Sequence, residues 1–227
     1  MGLRTLLGLK KAKPISYLNL SYSQEGEDGI LSRVFGNRQD GFFVDVGAHH
    51  PIRFSNTYKF YENGWRGINI DACPGSMEPF NRIRPLDINL EIPVSNLKEK
   101  MPFYVFNETA LNTFSLELAN EYQKKDSYWI DKTVVMETST LASILDDHLP
   151  ANQEIDFLSI DAEGFDFQIL ISNNWTKYKP KVVLIECDLS IAEFMDSDLY
   201  RFMEKEQYEF FAKTVKTVFF KHESLII

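Results

Sequence analysis

Apolar residues cluster in short, almost unbroken runs, and several of these runs end in acids. Residues 41–48 (GFFVDVGA), 155–164 (IDFLSIDAEG) and 181–188 (KVVLIECD) show little alternation of apolar and polar positions. Runs of that kind suit strands buried on both faces, as in a parallel sheet covered by helices. Residues 66–72 (RGINIDA) and 87–95 (DINLEIPVS) read as two further strands. Between the runs, apolar positions recur at helical spacing. Ile30, Leu31, Val34 and Phe35 share one helix face, with Ser23 as the expected cap and Gly36 as the stop. Residues 54–65 (FSNTYKFYENGW) form a second helical segment ending at Asn63–Gly64. Leu141, Ile144, Leu145 and Leu149 form a third, closed by Pro150, and Phe165, Ile169 and Leu170 mark a fourth. LYRFMEKEQ supplies a helix after the fifth strand.

The end of the chain breaks this alternation. YEFFAKTV and KTVFFKHE are strand-like and nearly contiguous. A parallel crossover needs a dozen or more residues, so a tight antiparallel hairpin is expected. The predicted fold is α/β: a Rossmann-like, doubly wound, mostly parallel sheet with helices on both faces and a C-terminal antiparallel hairpin. Residues 101–137 fit the scheme poorly and read as an insertion above the strand ends, where loops carry function.

The chain has 227 residues, 44% of them hydrophobic, and no linker or repeat divides it. The expected organisation is an N-terminal arm over residues 1–20 and one domain over 21–227. A net charge of -9 argues against nucleic acid as a partner. The opening MGLRTLLGLKKAK is basic and half apolar. It reads as a frayed or surface-docked arm, or as a weak amphipathic contact with a membrane or partner. Its apolar run is too short for a transmembrane segment or secretory signal, and Leu6 breaks the myristoylation pattern. Cys73 and Cys187 have no partner at metal-ligand spacing, which points to a reducing cytoplasm. The oligomeric state is open, with a homodimer as one option.

The candidate chemistry lies at the strand ends, where open α/β sheets bind ligands. The turn after the first strand carries one glycine, Gly47, before Ala48, His49, His50 and Pro51. A dinucleotide cradle needs three glycines, so an NAD-binding oxidoreductase is the weaker reading. Asp71 closes the second run, where an acid can accept both hydroxyls of a ribose. One glycine and one downstream acid therefore indicate a ribose-bearing cofactor without a phosphate chain, and S-adenosylmethionine fits. Gly47, Ala48, Asp71 and Ser95 form the candidate cofactor set. Asp45 joins them as a partner for the cationic methionine end, or as a structural acid bonding the turn.

Transfer from such a cofactor to a protic acceptor needs a base to remove a proton and needs the reactants aligned. Asp161 and Glu163 end the fourth run, and Glu186 and Asp188 end the fifth. Asp161, Glu163 and His49 are the candidate catalytic residues. Asp161, Glu186 and Asp188 are the candidate ligands for a divalent cation such as Mg2+ or Mn2+. Glu163–Gly164 also reads as a simple helix cap. His50 competes with His49, and His222 is a more distant choice. Trp65 reads as a burial position, and Arg53, Lys59 and Arg84 read first as ordinary surface charges.

The segments SYSQEGED, FFVDVGAHHP, RFSNTY, GWRGINIDACPGSMEPFNRIRP, DINLEIPVS, NTFS and LSIDAEGFDFQIL occur in this order. Together they resemble the FkbM family of S-adenosylmethionine-dependent methyltransferases, over roughly residues 21–186. The resemblance implies a seven-stranded methyltransferase fold and O-methylation. It also implies a sugar acceptor, nucleotide-activated or glycan-linked, in surface polysaccharide biosynthesis. For such an acceptor Tyr128 and Trp129 are candidates for stacking on the sugar, and Arg53, Lys59 and Arg84 for receiving a diphosphate. Many members carry a second glycine soon after the first turn, where this chain has His49, His50 and Pro51. A third reading is a methyltransferase fold that only binds.

Overall fold

The computed structural model describes residues 18–226, so the reading of the basic arm falls largely outside the described residues. The chain runs through α1 (Glu27–Phe35), β1 (Phe42–Val46), α2 (Tyr58–Glu62), β2 (Arg66–Asp71), α3 (Met77–Ile83) and β3 (Ile88–Glu91). Then come β4 (Lys100–Phe106), a 3-10 turn at Thr109–Leu111, α4 (Leu116–Tyr122), β5 (Ile130–Glu137) and α5 (Leu141–His148). The last part holds β6 (Phe157–Ile160), α6 (Asp166–Ile171), β7 (Val182–Glu186), α7 (Ile191–Met195), α8 (Asp198–Lys205), β8 (Tyr208–Lys213) and β9 (Thr217–His222).

Seven strands form one sheet in the order β3-β2-β1-β6-β7-β9-β8. β1, β2, β3, β6 and β7 are parallel to their neighbours, and β9 runs antiparallel to both β7 and β8. The expected α/β sheet and its closing hairpin are therefore present. The apolar runs explain the layering. Every residue of β1 is buried. Phe42, Val44 and Val46 point into one core with Ile68, Ile70, Leu158 and Ile160. Phe43 points the other way, into a second core with Trp65, Phe157, Leu184 and Phe219. Each such side chain contributes about 1.5–3 kcal/mol on burial.

Several local expectations change. α1 starts at Glu27, because Gly26 turns the chain with φ 90. Ser23 lies outside the helix, although its hydroxyl still accepts from the Asp28 amide at 3.2 Å. α2 starts at Tyr58, because Phe54 adopts φ 57 and Ser55 Oγ accepts from the Tyr58 amide at 3.0 Å. The third run is a strand only through Glu91.

Arg84 is buried and not a surface cation. Its Nε and Nη2 meet Asp87 Oδ2 at 2.9 and 2.8 Å, and its Nη1 donates to Thr57 Oγ1 at 3.0 Å. Asp87 in turn accepts from the Gly67 amide at 3.0 Å. The ion pair thus ties α3 to β2. Residues 100–137 stand apart from the main sheet: β4 and β5 pair antiparallel as a two-stranded sheet with α4 between them in sequence.

Candidate active site

A cavity of about 350 Å³ opens beyond the carboxyl ends of β1, β2 and β6, with Phe103, Asn112, Thr113 and Phe114 of the 100–137 segment among its walls. Strand order reverses between β1 and β6, the position where open α/β sheets take ligands.

The β1 turn is laced to both neighbours. The Gly47 and Ala48 amides donate to the Ile70 carbonyl at 2.9 and 3.0 Å, and the Asp161 amide donates to Val46 O at 3.0 Å. Gly47 has φ 80, and a Cβ there would overlap the Asp161 carbonyl. Only glycine meets both demands. His49 follows at φ 51. Its amide donates to Asp71 Oδ2 at 2.9 Å, and the Cys73 amide donates to Asp71 Oδ1 at 2.7 Å. Asp71 thus joins the loops after β1 and β2, and each oxygen keeps a further lone pair. Burial raises its pKa.

The two histidines separate by role. His50 Nδ1 accepts from the Ile52 and Arg53 amides at 3.1 and 2.9 Å, so it shapes the loop. His49 lines the cavity, and its buried Nε2 has no partner. Burial lowers its pKa, which favours neutral imidazole. Asp45 lines the cavity too, but its Oδ2 accepts from Thr57 Oγ1 at 2.9 Å, and burial raises its pKa. It therefore holds the segment leading into α2, whatever else it contacts.

One carboxylate oxygen from each of Asp161, Glu163 and Glu186 lies within 4.8 Å of the others. Asp161 is exposed to solvent on the cavity side, with protein packed around the rest of its side chain. Its pKa is raised well above the usual range by burial first, then by Glu186, Asp166 and Glu163. Glu163 is pushed up to about 7 by burial and then by Glu186. Like charges this close cannot all ionise freely, so the cluster is poised to keep a proton or to take a cation. Asp166 is also raised to about 7, chiefly by burial, but its oxygens accept from the Ala162 and Gly164 amides at 2.9 and 3.1 Å and brace the turn.

Two expected residues fall elsewhere. Asp188 is outside the cluster: its side chain is 73% exposed and faces Lys216 at 3.5 Å, while Glu186 faces the same lysine at 3.3 Å. Glu163 takes its place. Ser95 does not line the cavity, because the chain leaves the sheet after Glu91 and the Ser95 amide bonds Ser139 O at 3.0 Å; Ile92 and Val94 line it instead.

Trp65 is fully buried. Tyr128 and Trp129 are absent from the cavity wall, and the Trp129 indole donates to Asp131 at 2.8 Å. Arg53 pairs with Glu108 at 3.7 Å, Lys59 bonds Asn19 at 3.3 Å, and His222 bonds Ser224 at 2.8 Å. Asn112 escaped the sequence reading as a site residue. Its Oδ1 accepts from the Phe106 amide at 2.8 Å, and its buried Nδ2 lies beside the Cys73 thiol. The NTFS segment that contains it was its only trace in the sequence.

A seven-stranded sheet closed by an antiparallel hairpin, with a glycine turn after β1 and an acid ending β2, defines a Rossmann-like methyltransferase. Residues 45–210 match the family model of the methyltransferase FkbM domain, and the chain belongs to that family. No curated protein and no solved structure matches it. Among the described residues, no helix is long and apolar enough to cross a membrane.

Proposed function

We propose that the chain is an S-adenosylmethionine-dependent O-methyltransferase acting on a sugar hydroxyl, free, glycan-linked or nucleotide-activated, in surface polysaccharide biosynthesis. One observation carries the reading. The Gly47 turn, Asp71, Asp161 and Glu163 border one cavity at the strand ends, and Glu186 lies beside the two acids. The residues fit the cofactor: the buried His49 Nε2 has no partner and lines that space together with Asp71. When bound, S-adenosylmethionine supplies an electrophilic methyl group on a sulfonium.

The chain's own residues divide the remaining work. Asp71 accepts hydrogen bonds from the ribose, and Gly47 and Ala48 let the backbone come close. Asp161 and Glu163 take the proton from the acceptor hydroxyl, a contribution of typically ~10²–10⁴-fold. Neutral His49 is a second acceptor for that proton. The roof formed by Phe103 and Phe114 limits water. A divalent cation, Mg2+ or Mn2+, would be held by Asp161, Glu163 and Glu186, whose hard oxygens suit it, and would polarise the hydroxyl. Cys73 and Cys187 are free thiols, consistent with work in the cytoplasm.

Transfer of radiolabelled methyl groups onto a panel of sugars and nucleotide sugars, with and without chelator, tests the proposal. Label is expected in an acceptor as a stable ether. Tight binding of S-adenosylhomocysteine with no acceptor labelled would favour a binding module, and full turnover after chelation would remove the cation.

A further inference from the structure

Glu163 occupies a conformation that its own sequence does not favour. Its φ is 47, in the left-handed region that non-glycine residues rarely enter. Gly164 follows at φ 87. Such a turn persists only when the surroundings impose it, and here the 100–137 segment does so at two points. Thr113 Oγ1 donates to the Glu163 carbonyl at 2.7 Å, and the Tyr122 hydroxyl donates to Glu163 Oε2 at 2.6 Å.

These two contacts are mechanically linked. Thr113 Oγ1 accepts from the Ser115 amide at 2.8 Å, and Ser115 Oγ accepts from Leu118 N at 3.2 Å, capping α4. Tyr122 ends that helix. Leu118 fills the space that a Cβ on Gly164 would need. The Tyr122 ring stands edge-on to Phe106 of β4, with centroids 5.8 Å apart. One rigid piece therefore holds both the backbone and the carboxylate of Glu163.

We infer that Tyr122 is a positioning residue: its hydroxyl fixes the Glu163 carboxylate within the acid cluster, so the proton-accepting group is assembled by the seating of α4. The inference rests on the reading of Glu163 as a participant in proton removal. The hydrogen bond leaves Oε1 free to face an acceptor or a cation. The phenol itself stays protonated, because burial and the adjacent Glu163 raise it.

The test is Tyr122→Phe, which keeps the ring against Phe106 and deletes one hydroxyl. A crystal structure of the variant is expected to show the Glu163 carboxylate displaced from its place beside Asp161, with the Thr113 contact to the Glu163 carbonyl kept. In methyl-transfer assays kcat is expected to fall at least about tenfold, while affinity for S-adenosylhomocysteine stays within about twofold. An unmoved carboxylate, or a lowered melting temperature with kcat unchanged, makes the contact merely structural and overturns the inference. A displaced carboxylate with unchanged kcat overturns it by removing Glu163 from the chemistry. Should no acceptor be methylated at all, the functional reading falls, and the crystal structure still decides whether Tyr122 holds Glu163.

Discussion

Gly47 and Asp161 meet with no room between them: the α-carbon of the first faces the carbonyl oxygen of the second, where a methyl group would overlap it. This contact joins the β1 turn to the acid cluster. Gly47→Ala should therefore do two kinds of damage. The strained φ alone costs of order 1–3 kcal/mol, and the displaced turn should abolish binding of S-adenosylhomocysteine. Thermal unfolding and calorimetry measure the two losses separately.

Asp71→Ala removes the acceptor for the His49 and Cys73 amides as well as the proposed ribose contact. Hydrogen bonds to a charged group are worth about 1.5–3 kcal/mol. Affinity for S-adenosylhomocysteine should fall roughly 10- to 100-fold, as read by calorimetry.

Asp161→Asn preserves the backbone carbonyl against Gly47 and the hydrogen bond from its amide to Val46 O. Cofactor affinity should be nearly unchanged, while turnover should drop by at least about 10²-fold. Loss of binding with turnover retained would reverse the roles assigned to Asp71 and Asp161.

Stability should depend on pH in a definite direction. Glu163 rises from 4.5 to about 7 on folding, and Asp166 from 3.8 to about 7. In that interval the folded chain keeps protons that the unfolded chain has released. Their stabilisation is full below the unfolded values and is lost as pH climbs through 7. The melting temperature should therefore fall between pH 4.5 and 7, and Glu163→Gln should flatten the fall. Millimolar Mg2+ or Mn2+ should restore stability above that range, with a smaller effect in Glu186→Gln.

Arg84→Met leaves Asp87 buried without its cation. Breaking a buried pair on one side costs about 3–5 kcal/mol. Denaturant unfolding should show that loss, and any change in cofactor affinity should follow stability alone.

The sheet was readable because its strands are buried on both faces, and such runs leave few alternatives. β1, β6 and β7 fall inside the predicted runs. The hairpin was readable because only three residues, Thr214 to Lys216, separate β8 from β9. The site was less readable wherever side-chain direction depends on the chain's path beyond a strand. Asp188 follows Glu186 by two residues, yet the chain has already left β7, and Lys216 draws it outward. Ser95 was assigned to a strand that stops at Glu91. Arg84 looked like a surface cation because its partners, Asp87 and Thr57, meet it only after folding. Tyr122 gave no signal at all: it sits on a polar helix 41 residues before its partner Glu163.

β4 and β5 hydrogen-bond as strands to each other and to neither edge of the seven-stranded sheet. Length changes between them would leave the register of that sheet intact, yet Asn112, Thr113 and Tyr122 lie in the connecting stretch and would move. Grafting residues 100–137 between relatives should therefore reshape the cavity wall and the seat of Glu163 together, on a scaffold that stays put.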